Sequence, residues 1–81
     1  GIELKDVLIS DAEISLNVFS IDGGSISIEI IDLSGRLQFS TKKSIVRGVN
    51  HYNISRNKLY RGMYILHIYN ERESIIEKLI L

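Results

Sequence analysis

An all-β sandwich of seven short strands, arranged as an antiparallel immunoglobulin-like Greek key, is the fold class this sequence predicts. Three observations carry it. Apolar residues recur with period two instead of about 3.6, turn-forming clusters break the chain roughly every ten residues, and no stretch of useful length has helical spacing.

Leu4 to Ile9 reads as the first strand, although its alternation slips around Asp6 and Val7, the mark of a bulge. From Glu13 to Phe19 alternation is strict, with Ile14, Leu16 and Val18 facing one way and Glu13, Ser15 and Asn17 the other. The turn cluster Asp22-Gly23-Gly24-Ser25 separates this run from Ile26, Ile28 and Ile30, so the pair reads as a hairpin. Asp32-Leu33-Ser34-Gly35 suits a type I turn, in which the carboxylate accepts main-chain N–H groups and glycine takes the positive φ that follows. The next strand is predicted from Arg36 to about Thr41 with Leu37 and Phe39 inward, followed by a looser connection between Lys42 and Gly48.

Val49 to Ile54 resumes alternation with Tyr52 and Ile54 on one face. A polar loop from Ser55 to Lys58, with room for one helical turn before Tyr60, leads into Leu59-Tyr60-Arg61-Gly62-Met63-Tyr64 and a strand that sets Tyr64, Leu66 and Ile68 against Ile65, His67 and Tyr69. Asn70 to Glu73 is the last turn and Ser74 to Leu81 the final strand. The spacing Leu59-x-x-Gly62-x-Tyr64 looks like the tyrosine corner of Greek-key sandwiches, where the hydroxyl bonds back to main chain a few residues upstream.

At 81 residues, the chain reads as one domain spanning 1–81, and its 44% hydrophobic content is enough to fill a small core. With no cysteine, neither a disulfide nor a thiolate-held metal staples it. Ten basic and ten acidic residues cancel, which removes the global field that attracts nucleic acid or an anionic membrane. No apolar run approaches a membrane span, so stable membrane insertion is not expected, and Gly1-Ile2-Glu3 does not open a signal-peptide pattern. The chain is expected to be an excised piece or mature fragment of a larger protein. Its lack of proline is unusual for a fold that must protect edge strands.

Catalysis has no candidate set. There is no G-x-S-x-G, no phosphate-binding loop and no paired carboxylates, and the acids Asp11, Asp22 and Asp32 fall at turns without D-x-D-x-D spacing. His51 and His67 lie opposite the core residues of their strands, as solvent-facing residues do, so no metal or other cofactor is expected. Lys42, Lys43, Arg47, Arg56, Lys58 and Arg61 gather around one strand as a local basic patch or as ordinary solvated loop charge, and Tyr60 with Tyr69 could form a stacking platform for sugars. The ending Glu77-Lys78-Leu79-Ile80-Leu81 is the remaining anomaly. Such a strand either buries one side and leaves Ile80 exposed, or presents an edge for a partner to extend.

These residues together resemble the type A C-terminal sorting domain of type IX secretion cargo. The likeness runs from about Ile14 to Leu81 and rests on the run Ser27 to Arg36, the Gly48-x-Asn50 step, Leu59-x-x-Gly62-Met63-Tyr64-Ile65-Leu66 and the ending Lys78-Leu79-Ile80-Leu81. It places the family's D-x-x-G-R turn on Asp32, Gly35 and Arg36, and its terminal recognition motif on Lys78, Leu79, Ile80 and Leu81. The resemblance implies a non-catalytic address label, fused to an upstream cargo domain and recognised by the outer-membrane translocation machinery. It further implies removal by a sortase-like peptidase and a route through the periplasm to the cell surface or the medium. The proline- and asparagine-containing first-strand motif usual in that family is missing from Gly1 to Asp11. Two rival readings are a carbohydrate-binding module of a secreted enzyme, favoured by an exposed coplanar tyrosine pair, and a structural spacer; an accessible C-terminal strand favours the sorting signal.

Overall fold

A computed structural model describes residues 1–81. Its strands are β1 (Ile2–Ile9), β2 (Glu13–Ser20), β3 (Gly24–Asp32), β4 (Leu37–Ile45), β5 (Gly48–Ser55), β6 (Met63–Tyr69) and β7 (Ser74–Ile80). They build a three-stranded sheet ordered β1-β2-β5 and a four-stranded sheet ordered β4-β3-β6-β7, with every neighbouring pair antiparallel. Pairing of β2 with β5 and of β3 with β6 across long sequence separations gives the immunoglobulin-like Greek key.

The core follows from period-two alternation on the central strands. Ile14, Leu16 and Val18 of β2 face Ile26, Ile28 and Ile30 of β3 and Tyr64, Leu66 and Ile68 of β6, and these nine belong to one cluster of twelve buried residues. Complete burial of one such aliphatic side chain is worth about 1.5–3 kcal/mol. The edge strands β4, β5 and β7 add only Ile45, Ile54 and Leu79, and β1 adds none. A central strand is covered on both flanks and by the opposite sheet, whereas an edge strand lies half outside that cover.

Three sequence expectations change. The runs around Glu13 to Phe19 and Ile26 to Ile30 are not a hairpin: β2 and β3 belong to different sheets, and Ile21 to Gly23 crosses between them. Alternation reports which face a strand buries but not which strand it pairs with. The strand expected to stop near Thr41 continues through Lys42, Lys43 and Ser44 to Ile45, because an edge strand tolerates charge that a central one would not. Leu37 is 56% exposed instead of inward. Its partner is Ile31 while Phe39 pairs with Ile30, so Gln38 is an extra residue that turns Leu37 onto the outer face. Between Ser55 and Tyr60 there is a turn closed by Leu59 N–H to Arg56 carbonyl at 3.0 Å, and no helix.

The irregularity in β1 falls at Lys5, where the register shifts between Leu4 and Asp6. One extra residue lets Leu4 pair with Val18 and Val7 with Leu16, so both apolar side chains stay on the inner face despite their odd spacing. On the opposite side of the sandwich, Asn50 closes the step from β4 to β5: its side chain accepts from Val46 N–H at 3.0 Å and donates to the carbonyls of Val46 at 2.8 Å and Gly48 at 3.1 Å. The Tyr52 hydroxyl donates to the Ser44 carbonyl at 2.8 Å, and burial pushes that phenol above its ordinary pKa.

The Tyr64 hydroxyl donates to the Tyr60 carbonyl at 2.7 Å from a largely buried ring. Removing it in Tyr64→Phe is expected to cost about 1 kcal/mol or more without changing the fold, since the carbonyl of Tyr60 is left seeking a donor. Denaturant melts of the two proteins measure it; coincident midpoints would remove the corner bond from the stability of the fold.

Candidate functional site: the last strand and the end of the sheet that holds it

The residues singled out from sequence converge at one end of the four-stranded sheet. Asp32 pairs with Tyr64, and Tyr64 pairs with Leu79, so a single row of the ladder joins the Asp32 turn, the Leu59-x-x-Gly62-x-Tyr64 corner and the final strand. The neighbouring row runs from Leu37 through Ile31 and Ile65 to Lys78 on the outer face.

The Asp32 turn is built around its carboxylate. Oδ1 accepts the N–H groups of Ser34 and Arg36, both at 2.9 Å, while Oδ2 takes Arg36 Nε at 3.3 Å and Gln38 Nε2 at 2.9 Å. Gly35, at φ +85°, lets the chain reverse and donates its N–H to the Asp32 carbonyl at 3.0 Å. Gln38, the extra residue of β4, therefore supplies the fourth donor, a role its sequence position does not advertise. The Arg36 N–H foremost, with Ser34 N–H, the Arg36 guanidinium and the Gln38 amide, holds the Asp32 carboxyl below its ordinary value of 3.8, against the opposing pull of partial burial.

Leu59 packs half-buried against the core, and Gly62 occupies φ +152°, outside the range side chains favour. Gly62 also grips the chain terminus: its N–H donates to the Leu81 carbonyl at 3.0 Å, and Leu81 N–H donates back at 2.9 Å. Two motifs that are separate in sequence are thus one hydrogen-bonded unit.

The last strand is two-faced and lies at the sheet edge. Leu79 is 2% exposed and Leu81 half-buried against the core, while Ile76 and Ile80 stand 67% and 63% exposed on the outer face with Lys78 between them. Glu77 sits opposite buried Leu66, on the inner side, yet is exposed because no strand lies beyond it.

Other candidates from sequence are not brought together. Arg47 and Arg56 flank β5 at opposite ends, roughly 30 Å apart at ~3.3 Å per residue, so these charges read as separate solvated loop groups and not as one local basic patch. Tyr60 in the β5–β6 loop and Tyr69 at the end of β6 are on the order of 20 Å apart by the same rise, and Tyr69 stacks on His67 with ring centroids 4.5 Å apart, so they form no coplanar pair. His51 and His67 lie on the outer faces of different sheets, His51 Nδ1 at 2.8 Å from Asn17 Oδ1 and His67 Nδ1 at 3.4 Å from Glu29 Oε1. At the far end, Glu73 of the β6–β7 turn accepts the N–H of Ile2 and pins the entry of β1. Nothing in the spacing of Ile2 and Glu73 signals that contact.

Residues 7–81 match the family model described as secretion system C-terminal sorting domain. The match begins inside β1, just past the bulge at Lys5. A comparison with curated proteins finds no match.

Because the folded Asp32 carboxyl binds a proton less readily than the unfolded one, its stabilising effect is complete above the ordinary carboxylate range and is lost as pH falls through the lowered pKa. Asp32→Asn is expected to lower the denaturant midpoint at pH 7, with the gap to wild type closing as pH drops from about 4 toward 2. A gap that stays constant over that range would show that the turn's charge contributes nothing.

Proposed function

The chain belongs to the secretion system C-terminal sorting domain family, the sorting signals of type IX secretion, and from that footing we propose that β7 is the element the outer-membrane translocation machinery reads. A domain of this family acts as a signal and not as a catalyst, and membership implies delivery of a fused cargo to the cell surface or the medium. Within this reading, Lys78, Leu79, Ile80 and Leu81 divide the work. Leu79 and Leu81 anchor the strand to the core, while Lys78 and Ile80 present a charge and an apolar branch to the receptor. The observation that carries it is the ordered edge strand itself, locked by the Gly62–Leu81 pair with its outer side chains left in solvent.

Passage through the periplasm, docking on the translocation machinery and release by a sortase-like peptidase complete the proposed sequence. The third step is supported by the modest part β1 plays in the sandwich: Ile2, Leu4 and Val7 pack against the buried cluster, but no residue of β1 belongs to it. Asp32, Gly35, Arg36, Leu59, Gly62 and Tyr64 serve as the frame that sets the strand's position, not as points of contact.

The expected outcome for Lys78→Ala is a melting temperature within a few degrees of wild type, since exposed substitutions usually cost under ~0.5 kcal/mol, together with a severalfold loss of export. The measurement fuses the domain to a periplasm-directed reporter in a host with type IX machinery and counts reporter at the cell surface, with Ile80→Ser as a second variant. Normal delivery of both folded variants would sink the proposal.

A further inference from the structure

The exposed side of β7 specifies the kind of strand that fits it. Leu81 exchanges both main-chain hydrogen bonds with Gly62, so by the alternation of antiparallel ladders Leu79, Glu77 and Ile75 also turn their amides and carbonyls toward β6. Ile80, Lys78 and Ile76 turn theirs away from the sheet, into a flank with no neighbouring strand. These are the same residues whose side chains stand on the outer face. The nearest segment across that flank is the β1 bulge, separated from β7 by a cleft of about 350 Å³ that Leu4, Lys5, Asp6, Val7, Glu77 and Lys78 line.

A second copy of the chain is a poor occupant. Pairing two β7 edges about a two-fold axis at Lys78 sets Lys78 against Lys78, and about Glu77 sets Glu77 against Glu77. Like charges directly opposite are destabilising. The registers centred on Leu79 and on Ile76 avoid both, but they overlap only Glu77 to Leu81 or Ser74 to Lys78 and leave each Lys78 beside Ile80 or Ser74 with no charge partner. A charge in mid-strand on each face is a known protection against pairing with copies, and it leaves the edge open to a strand of complementary charge.

We propose that β7 docks a strand of a partner protein by edge addition, and that this strand carries an acidic residue between two apolar ones at alternate positions. The acid then meets Lys78 while the apolar residues cover Ile76 and Ile80, a pattern that reads the same in parallel or antiparallel orientation. Main-chain bonds to Ile76, Lys78 and Ile80 hold the strand, and the side-chain pattern selects it. The inference rests on the reading of β7 as the recognised element and adds the chemistry of what recognises it.

The test titrates the isotope-labelled 81-residue chain with two acetylated, amidated synthetic peptides, Thr-Ile-Thr-Glu-Thr-Ile-Thr and the same sequence with lysine in place of glutamate. Amide shifts and slowed hydrogen exchange are expected at Ile76, Lys78 and Ile80, with about fivefold tighter binding of the glutamate peptide. Lys78→Glu should invert that preference and Lys78→Gln abolish it, each checked for a wild-type-like amide spectrum. Equal binding of both peptides, perturbation centred away from β7, or no binding at millimolar peptide overturns edge addition. If Lys78→Ala still lowers export in that event, the strand remains the recognised element and only this mode of recognition fails; if the charge preference appears while export is untouched, edge addition holds and the export reading fails.

Discussion

Nine apolar side chains from β2, β3 and β6, closed face to face between two sheets, are the interaction on which the rest of this structure depends. Because those three strands supply most of the burial, the four edge strands are released from the demand for strict alternation. β4 carries Lys42 and Lys43, β1 accommodates an extra residue at Lys5, and β7 sets Glu77 on its inner side. In a small domain, where buried surface is a limited resource, concentrating it in the middle leaves the margins available for other uses. The last strand is such a margin.

Legibility from sequence follows the same division. Central strands were readable because their side chains answer to one constraint, inside or outside, and that constraint has period two: Ile14-Leu16-Val18, Ile26-Ile28-Ile30 and Tyr64-Leu66-Ile68 are all buried as their spacing predicts. Which strands pair was not readable in the same way. The short step from Ser20 to Gly24 suits a hairpin as well as a crossing between sheets, and only the need to cover both inner faces decides for the crossing. Edge strands were read worst, since Leu37 obeys a bulge at Gln38 and not the alternation that would have sent it inward.

The individual motifs at the candidate site could be seen in the sequence, but their convergence could not. Asp32 and Gly35 announce a turn, and Leu59-x-x-Gly62-x-Tyr64 a corner, by local chemistry alone. That Asp32, Tyr64 and Leu79 share a row is a matter of register between strands far apart in the chain, and register is set by the whole core. Gly62 shows the limit most clearly. Its φ explains why glycine stands there, yet its main chain has a second task, holding Leu81, that no residue preference records.

An edge strand held in this way differs physically from a linear peptide of the same sequence. Fixing the main chain of one free residue costs roughly 1–2 kcal/mol, so a flexible segment the length of Lys78 to Leu81 would surrender several kcal/mol of binding free energy simply to become extended. Here β6 has already set those dihedrals through the pairs Ile65–Lys78, Tyr64–Leu79 and Met63–Ile80, and Gly62 fixes the final residue. On the reading proposed above, a receptor meets a strand whose shape is settled before contact, and its binding free energy discriminates among side chains instead of ordering them. On that same reading the arrangement makes recognition conditional on folding. An unfolded chain still contains Lys78 and Ile80, but it presents them in no fixed relation to each other, so a receptor that requires the formed edge rejects it. Under the proposal, a folded sorting domain carries an address that only a correctly folded copy displays.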